Sequence, residues 1–282
     1  MPALFGPAGN SDSFSQKYKS SKFAPEYLSG IGLDAYEYQC GKGVKTGKDT
    51  AVSFGNTARE FNISLSVHAP YFISLSSVEE EKRMNSIGYI LQTANLAAYM
   101  GAKRIIIHSG SASKISRIQA LELAKETLLK ARQKVIDEGL SDIIFCPETM
   151  GKINQLGTLD EVMELCRCDD SFIPCIDFGH LNARTAGSIK TKQDFEKILD
   201  TIENALGVDR LKVFHSHFSR IEFTEKGGEV RHLTFDDSVF GPDFEPLMEL
   251  VYNKNLSPTF ICESAGTQDS DALKMKNYYL SL

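Results

Sequence analysis

The chain alternates between short apolar runs and longer amphipathic stretches. Each apolar run has the length of a strand and ends near glycine, proline or a polar residue. The intervening stretches repeat their apolar residues at helical spacing, and Ile118, Leu121, Leu128 and Val135 form one such stripe. The runs predict strands at 3–5, 35–40, 63–68, 103–108, 142–148, 172–177, 211–217 and 259–263. Helices are predicted at 25–30, 49–61, 77–100, 116–138, 158–167, 191–206 and 244–252, with a last helix ending the chain.

Strands that alternate with helices predict an α/β fold, a parallel sheet with the helices outside it. Eight such units in 282 residues match the size of a closed (β/α)8 TIM barrel. A doubly wound open sheet is the alternative, although it usually has fewer units. No change of composition divides the chain, so we expect residues 1–282 to form a single TIM-barrel domain.

Composition narrows the function classes. The net charge of −6 argues weakly against nucleic acid as a partner, although a local basic patch could still bind it. None of the six cysteines stands in a C-x-x-C pair, so no zinc ribbon or thioredoxin motif is present. The chain shows no signal-peptide pattern and no apolar run of membrane-spanning length. We therefore expect a cytoplasmic protein without membrane contact and without an obligate protein partner.

Metal-capable side chains end six consecutive predicted strands. They are His68, His108, Glu148, Asp177, one of His215 and His217, and Glu263. In a parallel barrel all strand carboxyl ends open on one face, where such barrels place their chemistry. Each residue alone has an ordinary explanation as a turn residue or a hydrogen-bonded core histidine. Six together predict a metal site, because unpaired buried carboxylates are costly.

Two further histidines, His180 and His232, are predicted on loops over the same face. Mixed imidazole and carboxylate ligands suit zinc, manganese or iron. The groups outnumber the ligands of one ion, so two or three ions are predicted, Zn2+ with Mn2+ as the alternative. Two ions about 3.5–4 Å apart can bind a phosphodiester, generate hydroxide and stabilise the leaving oxygen.

The chain resembles the endonuclease IV family, the zinc-dependent apurinic/apyrimidinic DNA endonucleases of the xylose-isomerase-like barrel superfamily. The motifs are Ser66-Val67-His68-Ala69-Pro70-Tyr71, His108-Ser109-Gly110, Glu148-Thr149-Met150-Gly151, Asp177-Phe178-Gly179-His180, Arg231-His232 and Glu263, and they span nearly the whole chain. The resemblance implies a hydrolase of base excision repair. Such an enzyme cuts duplex DNA on the 5′ side of an abasic site, after the lesion nucleotide is flipped out.

The resemblance also implies roles for single residues. It assigns His68, His108 and Glu148 to a first zinc, Glu148, Asp177, the strand-seven histidine and Glu263 to a second, and His180 and His232 to a third. Glu148 and Glu263 are the predicted catalytic residues. Tyr71 and Phe72 fall where the family inserts side chains into the duplex, with ordinary turn packing as the alternative.

A glycine-rich loop at 41–48 carries Lys42, Lys45 and Lys48. It is not a P-loop, because its glycines lack the required spacing and Asp49 follows Lys48. Lys42 and Lys45 are predicted DNA-phosphate contacts. A flexible solvated loop is an equally good interpretation.

The chain departs from the family in three places. Val230 stands where the third zinc has an aspartate, and Glu229 is the neighbouring candidate. Strand seven offers both His215 and His217, which share a face of the strand. The residues leading into the strand align His215 with the family ligand, whereas the spacing to His232 favours His217, which we prefer. The usual His-x-Asn-Asp after strand seven is replaced by residues 218–220, which indicates a divergent branch.

Two other functions fit parts of the pattern. A sugar isomerase or epimerase of the same superfamily needs only Glu148, Asp177, the strand-seven histidine and Glu263 around one ion, with the two glutamates as acid and base. That hypothesis leaves His68, His108 and His180 unexplained. A non-enzymatic metal-binding or DNA-binding module would require the carboxylates to be purely structural.

Overall fold

Eight parallel strands close into a barrel in the computed structural model, which describes residues 2–282. In chain order the barrel strands are β1 Leu4–Pro7, β2 Ala35–Gln39, β3 Ser64–His68, β4 Arg104–His108, β5 Ile144–Glu148, β6 Cys175–Asp177, β7 His215–Phe218 and β10 Thr259–Cys262. Two further strands, β8 Arg220–Thr224 and β9 Gly228–Leu233, form a separate antiparallel hairpin. The barrel order is β1-β10-β7-β6-β5-β4-β3-β2, and every neighbouring pair is parallel. Two backbone hydrogen bonds of 2.9 Å join β1 to β2 and close the barrel: Gly9 N donates to Glu37 O, and Asp34 N donates to Phe5 O. The predicted (β/α)8 TIM barrel is confirmed.

Helices surround the barrel and cover the outer faces of its strands. They are α1 Asp12–Lys17, α2 Ala24–Gly30, α3 Lys48–Glu60, α4 Glu80–Met100, α5 Arg117–Asp137, α6 Leu159–Cys166, α7 Phe178–Arg184, α8 Lys192–Leu206, α9 Val208–Lys212, α10 Glu245–Asn253 and α11 Gln268–Leu280. Capping boxes at Ser116 and Thr158 satisfy the first amides of α5 and α6. None of the helices in residues 2–282 has the length and apolar character that crossing a bilayer requires.

Several element boundaries differ from the prediction. The seventh strand begins at His215, because the residues before it form α9. His180 lies in α7 and not on a loop, since Asp177 caps that helix by accepting from His180 N at 2.7 Å. The helix predicted at 77–100 begins three residues later, at Glu80, and Ser77 Oγ accepts from Glu79 N in the preceding turn. His232 lies in β9, the second strand of the β8–β9 hairpin, where a loop was expected.

Polar side chains reach through most of the barrel interior, since Ser66, Arg104 and His215 line a cavity at the amino ends of the strands. Ile106, Cys146 and Cys175 fill part of the lower interior as one buried cluster. Six ionisable residues lie above or beside them, each no more than 1% exposed: Glu37, His68, Glu148, Asp177, His215 and His217. Burying so many ionisable groups opposes folding unless they pair with one another or bind cations.

Candidate metal centre

The strand ends converge on Glu148, the last residue of β5. Its Oε2 lies 3.3 Å from His68 Nε2 and 3.4 Å from His108 Nε2. Its Oε1 lies 3.0 Å from His217 Nδ1 and 3.5 Å from His180 Nδ1. Two ligand atoms that share a tetrahedral Zn2+ are about 3.3–3.5 Å apart, given Zn–N and Zn–O bonds of about 2.0–2.2 Å. The distances to His68, His108 and His180 are compatible with ligands that share ions, whereas His217 is at hydrogen-bonding distance.

Residues 2–282 contain five groups of candidate ligand atoms, and within each group all atoms are within 4.8 Å of one another. Two of them reach into the deeper layer, Glu37 with His68, His217 and Glu263, and Cys175 with His215 and His217; the other three lie at the mouth. Of the groups at the mouth, the first comprises His68, His108 and Glu148; the second Glu148, Asp177, His217 and Glu263; the third His180, Glu229 and His232. Glu148 belongs to both the first and the second group. The third group shares no residue with the others, although His180 Nδ1 also faces Glu148.

Asp177 provides a test of whether the residues fit a metal ion. Its side chain is fully buried, and Oδ1 caps α7. Oδ2 has no hydrogen-bond donor among residues 2–282. His180 Nδ1 is 3.1 Å away, but the angle does not allow a hydrogen bond. An unsatisfied buried carboxylate oxygen is costly, and a cation compensates it best. Its neighbours are imidazoles and carboxylates, the ligands of Zn2+ and Mn2+, so the residues fit such an ion.

The pKa values of the site reflect close contact between imidazoles and carboxylates. Burial raises the pKa of Glu148, but His217 and hydrogen bonds from His180 and His217 outweigh it and hold that pKa well below its ordinary value. Burial lowers the pKa of His108 to about 3. Burial also lowers the pKa of His180, but the negative charges of Asp177 and Glu148 outweigh burial and raise that pKa to about 10. Without metal, protonated imidazoles therefore supply the positive charge that balances the carboxylates. Metal binding would release these protons.

The site opens into a cavity of about 500 Å3. His68, His108, Glu148 and Glu263 line its floor. Gln39, Tyr71, Lys152, Gln155 and Gln268 contribute to its walls. The candidate ligand atoms are thus buried within the protein but reachable by a small molecule or by part of a polymer.

Comparison with known proteins identifies the family of this barrel. Residues 25–277 match the family described as xylose isomerase-like TIM barrel. The chain belongs to that family. An uncharacterized protein of Methanocaldococcus jannaschii is 35% identical over 276 residues, which cover 98% of this chain and 96% of its own. A probable endonuclease 4 of Mycoplasma pneumoniae is 31% identical over 209 residues, which cover 70% of this chain and 68% of its own.

Two solved structures share the xylose isomerase-like barrel with this chain. Endonuclease IV from Thermus thermophilus has a TM-score of 0.72 at 18% identity, over 99% of this chain and 100% of that one. A D-tagatose 3-epimerase-like protein also has a TM-score of 0.72, at 17% identity, over 99% of this chain and 97% of that one. At these identities the likeness concerns the fold, and both kinds of protein share it equally.

The two histidines of β7 lie at different depths. Both point into the barrel, as residues two apart on a strand should. His217 joins the group around Glu148, whereas His215 lies one layer deeper, where its Nε2 is 2.9 Å from Glu37 Oε2. His215 belongs to none of the three groups at the mouth; its candidate ligand atom is grouped instead with those of Cys175 and His217. Sequence reasoning missed Glu37; its only signal was a carboxylate inside the aromatic strand Tyr36-Glu37-Tyr38.

Glu229 supplies the carboxylate of the third group in place of the aspartate that Val230 replaces. Its Oε2 lies 3.4 Å from His180 Nε2, while half of the Val230 side chain is exposed. The β8–β9 pairing shifts register between residues 222 and 223, and this irregularity changes which residues of β9 face the site. Gly151 makes room for the group, because a Cβ there would come within 2.6 Å of Glu229 Cβ and 2.8 Å of His180 Cδ2.

The predicted wedge residues lie at the rim of the cavity. Tyr71 is 55% exposed and Phe72 is 50% exposed. The Tyr71 ring stacks on His108 with centroids 5.4 Å apart, and its hydroxyl donates to Gln39 Oε1 over 3.2 Å. Phe72 packs edge-on against Tyr89 at 4.8 Å. Tyr71 therefore covers the candidate metal centre, and Phe72 extends the same exposed aromatic surface away from it.

The predicted lysine contacts are distributed unequally around the mouth. Lys42 and Lys45 are exposed on the loop between β2 and α3. Lys48 begins α3, and its Nζ lies 5.2 Å from the centroid of the Tyr99 ring. Lys152, which sequence reasoning missed, lines the cavity itself. Its signal was its place directly after the motif that begins at Glu148.

Proposed function

We propose that the protein is a metal-dependent phosphodiesterase of the endonuclease IV type, which cuts duplex DNA on the 5′ side of abasic sites. The observation that supports this most is the number of ligand groups at one mouth. A single Zn2+ uses about four protein ligands, and this site offers three groups, one of them independent of the others. The similarity to a protein named probable endonuclease 4 supports the same conclusion.

Each group has a proposed role. His68, His108 and Glu148 would hold one ion, Glu148, Asp177, His217 and Glu263 a second, and His180, Glu229 and His232 a third. Bound Zn2+ or Mn2+ supplies a hydroxide nucleophile at neutral pH and neutralises charge on the reacting phosphate. Glu148 fixes the spacing of the first two groups because its two oxygens face different ligand sets.

The remaining side chains would bind and orient the DNA. Lys152 places a cation in the cavity wall, where it can attract the phosphate next to the lesion. Tyr71 and Phe72 offer exposed aromatic faces on which an unpaired base can stack. Lys42 and Lys45 extend the cationic surface along the rim, within a chain whose net charge is negative.

A second candidate function is a single-ion sugar isomerase or epimerase. Glu148, Asp177, His217 and Glu263 form a complete ligand set on their own, contributed by or just after four consecutive strands of the barrel. A D-tagatose 3-epimerase-like protein shares the fold. In that function the two glutamates would act as acid and base. The first and third groups would then have no task.

The deciding experiment uses the full chain with Zn2+ or Mn2+ supplied. A labelled duplex with one abasic site should be nicked on the 5′ side of the lesion, and the same duplex without the lesion should stay intact. A chelator should abolish the nick, and added metal should restore it. Two or three ions per chain are expected from elemental analysis. One ion per chain, no nick, and turnover of a ketose would establish the epimerase instead.

A further inference from the structure

A fully buried carboxylate lies beneath the metal centre. Glu37 is the middle residue of β2 and has no exposed surface. Ser66 Oγ donates to its Oε2 at 2.9 Å, and Gln39 Nε2 donates to its Oε1 at 3.1 Å. His215 Nε2 lies 2.9 Å from Oε2 in hydrogen-bonding geometry. These neighbours turn donor groups toward the carboxylate, which favours its ionised, acceptor-only form.

Glu37 also faces the imidazole of His217. His217 Nε2 lies 2.9 Å from Glu37 Oε1, off the line of an ideal hydrogen bond. Nδ1 of the same ring makes the aligned hydrogen bond, with Glu148 Oε1, so without metal both ring nitrogens face carboxylate oxygens. An ion bound in the second group would displace the proton of Nδ1, and Nε2, facing Glu37, would keep its own. Nδ1 lies 3.0 Å from Glu148 Oε1 and 3.5 Å from Glu263 Oε2, inside the second ligand group.

We propose that Glu37 is a positioning residue of the metal centre. It fixes the ring and the tautomer of His217, and His215 holds Glu37 in turn from the layer below. Metal-ligating histidines commonly donate their second ring N–H to a carboxylate, which orients the ring and makes it a better ligand. This inference rests on the metal centre of the proposed function but not on its substrate, so it holds for a nuclease and for an epimerase.

The position of the pair argues against a role in packing alone. β2 and β7 are not neighbours in the barrel, so the contact between Glu37 and His215 spans the interior. Apolar side chains could fill this space without the desolvation penalty of a buried charge. No Lys or Arg nitrogen lies within 4 Å of the carboxylate in residues 2–282; its ionic partners there are His215 and His217. The charge is thus directed at the ligand histidine.

Two variants of the full chain separate charge from shape. Glu37→Gln keeps the shape of the side chain but replaces one of its two acceptor oxygens with an NH2 group. Either His215 or His217 must then face that NH2 group. If His217 faces it, the proton of His217 moves to Nδ1 and blocks the ligand atom. Glu37→Asp keeps the charge but shortens the side chain. We expect Zn2+ affinity, measured by competition with a chromogenic chelator, to fall about 10–100-fold in Glu37→Gln and less in Glu37→Asp.

Ser66→Ala is the matched control, because it removes one hydrogen bond to Glu37 and leaves both imidazole contacts. Its Zn2+ affinity should stay close to that of the unmodified protein, and the Co2+ absorption spectrum should change only in Glu37→Gln. Wild-type affinity in Glu37→Gln, or a larger loss in Glu37→Asp or Ser66→Ala, would overturn the proposal. A measurement without any variant is 15N NMR of the Zn2+-loaded protein. It should show His217 bound through Nδ1 with a proton on Nε2, and binding through Nε2 would equally refute the role of Glu37.

Discussion

Replacing Glu229 with glutamine tests the third ligand group directly. The side chain is 14% exposed, and its Oε2 lies 3.4 Å from His180 Nε2. Glu229→Gln keeps the shape of the side chain and the hairpin that carries it, and removes only the negative charge. An ion held by His180 and His232 would lose its one anionic ligand in this group.

The expected size of the effect follows from the geometry. A bound Zn2+ would lie about 2.0–2.2 Å from the carboxylate oxygen, but desolvation of the charges and the neutral oxygen that glutamine still offers offset most of the lost Coulomb attraction. Partial exposure of Glu229 to solvent reduces the net loss further, and we take about 2–3 kcal/mol. At about 1.4 kcal/mol per factor of ten, the ion should bind about 30–150-fold more weakly. After dialysis, Glu229→Gln should therefore retain one ion fewer per chain.

The assay combines elemental analysis with single-turnover nicking of a duplex that carries one abasic site. Glu222→Gln is the control, because Glu222 lies on the same hairpin and pairs with the exposed Arg231 at 2.7 Å. A surface ion pair of this kind contributes about 0–1 kcal/mol, so ion content and nicking should be nearly unchanged in that variant. If Glu229→Gln keeps both its ion content and its nicking rate, residues 180, 229 and 232 are not a metal site. Equal losses in both variants would instead indicate damage to the hairpin.

Two further predictions concern charge. The pKa of His180 is raised to about 10, so the metal-free protein should lose stability as the pH rises from about 6.5 through 10. In urea unfolding, His180→Gln should flatten this pH dependence. A free energy of unfolding that rises over this range would show that the sign is wrong. Replacing Lys42 and Lys45 together with alanine should weaken binding to lesion duplex and reduce the slope of log K against log salt by about 1–2. The double replacement of Lys130 and Lys197, which lie on outer helices, should leave the slope unchanged, and equal slopes in both double variants would remove the phosphate role.

The sequence predicts the barrel and the mouth of the site for one physical reason. Parallel strands place all their carboxyl ends on one face, so residues far apart in the chain meet there once the strands are located. His68, Glu148 and Asp177 could be assigned to one surface in this way without any knowledge of contacts. Their roles as ligands remain predictions, whereas their convergence is a property of the structure.

The features that the sequence did not predict depend on contacts across the barrel or on local irregularities. Glu37 lies in the middle of β2, and its pairing with His215 arises only because the barrel closes and brings opposite walls together. Glu229 could be named only as a candidate beside Val230, because the register change that brings it to the site cannot be counted along the sequence. His180 is on a helix because the Asp177 carboxylate caps it, a contact that the Asp-x-x-His spacing permits but does not require.

Asp177 joins the two halves of the candidate site. Its Oδ1 accepts from His180 N at 2.7 Å, and this cap begins α7, the helix that carries His180 of the third group. Its Oδ2 is left without a donor within the second group. The Asp177 carboxylate therefore positions His180 of the third group by accepting from its backbone N–H, and it offers its other oxygen as a ligand atom to the second group. A single-ion epimerase needs only the second oxygen. In a multi-ion nuclease both oxygens would serve the site, because the direct junction of β6 and α7 at Asp177 would set the spacing of the second and third ligand groups.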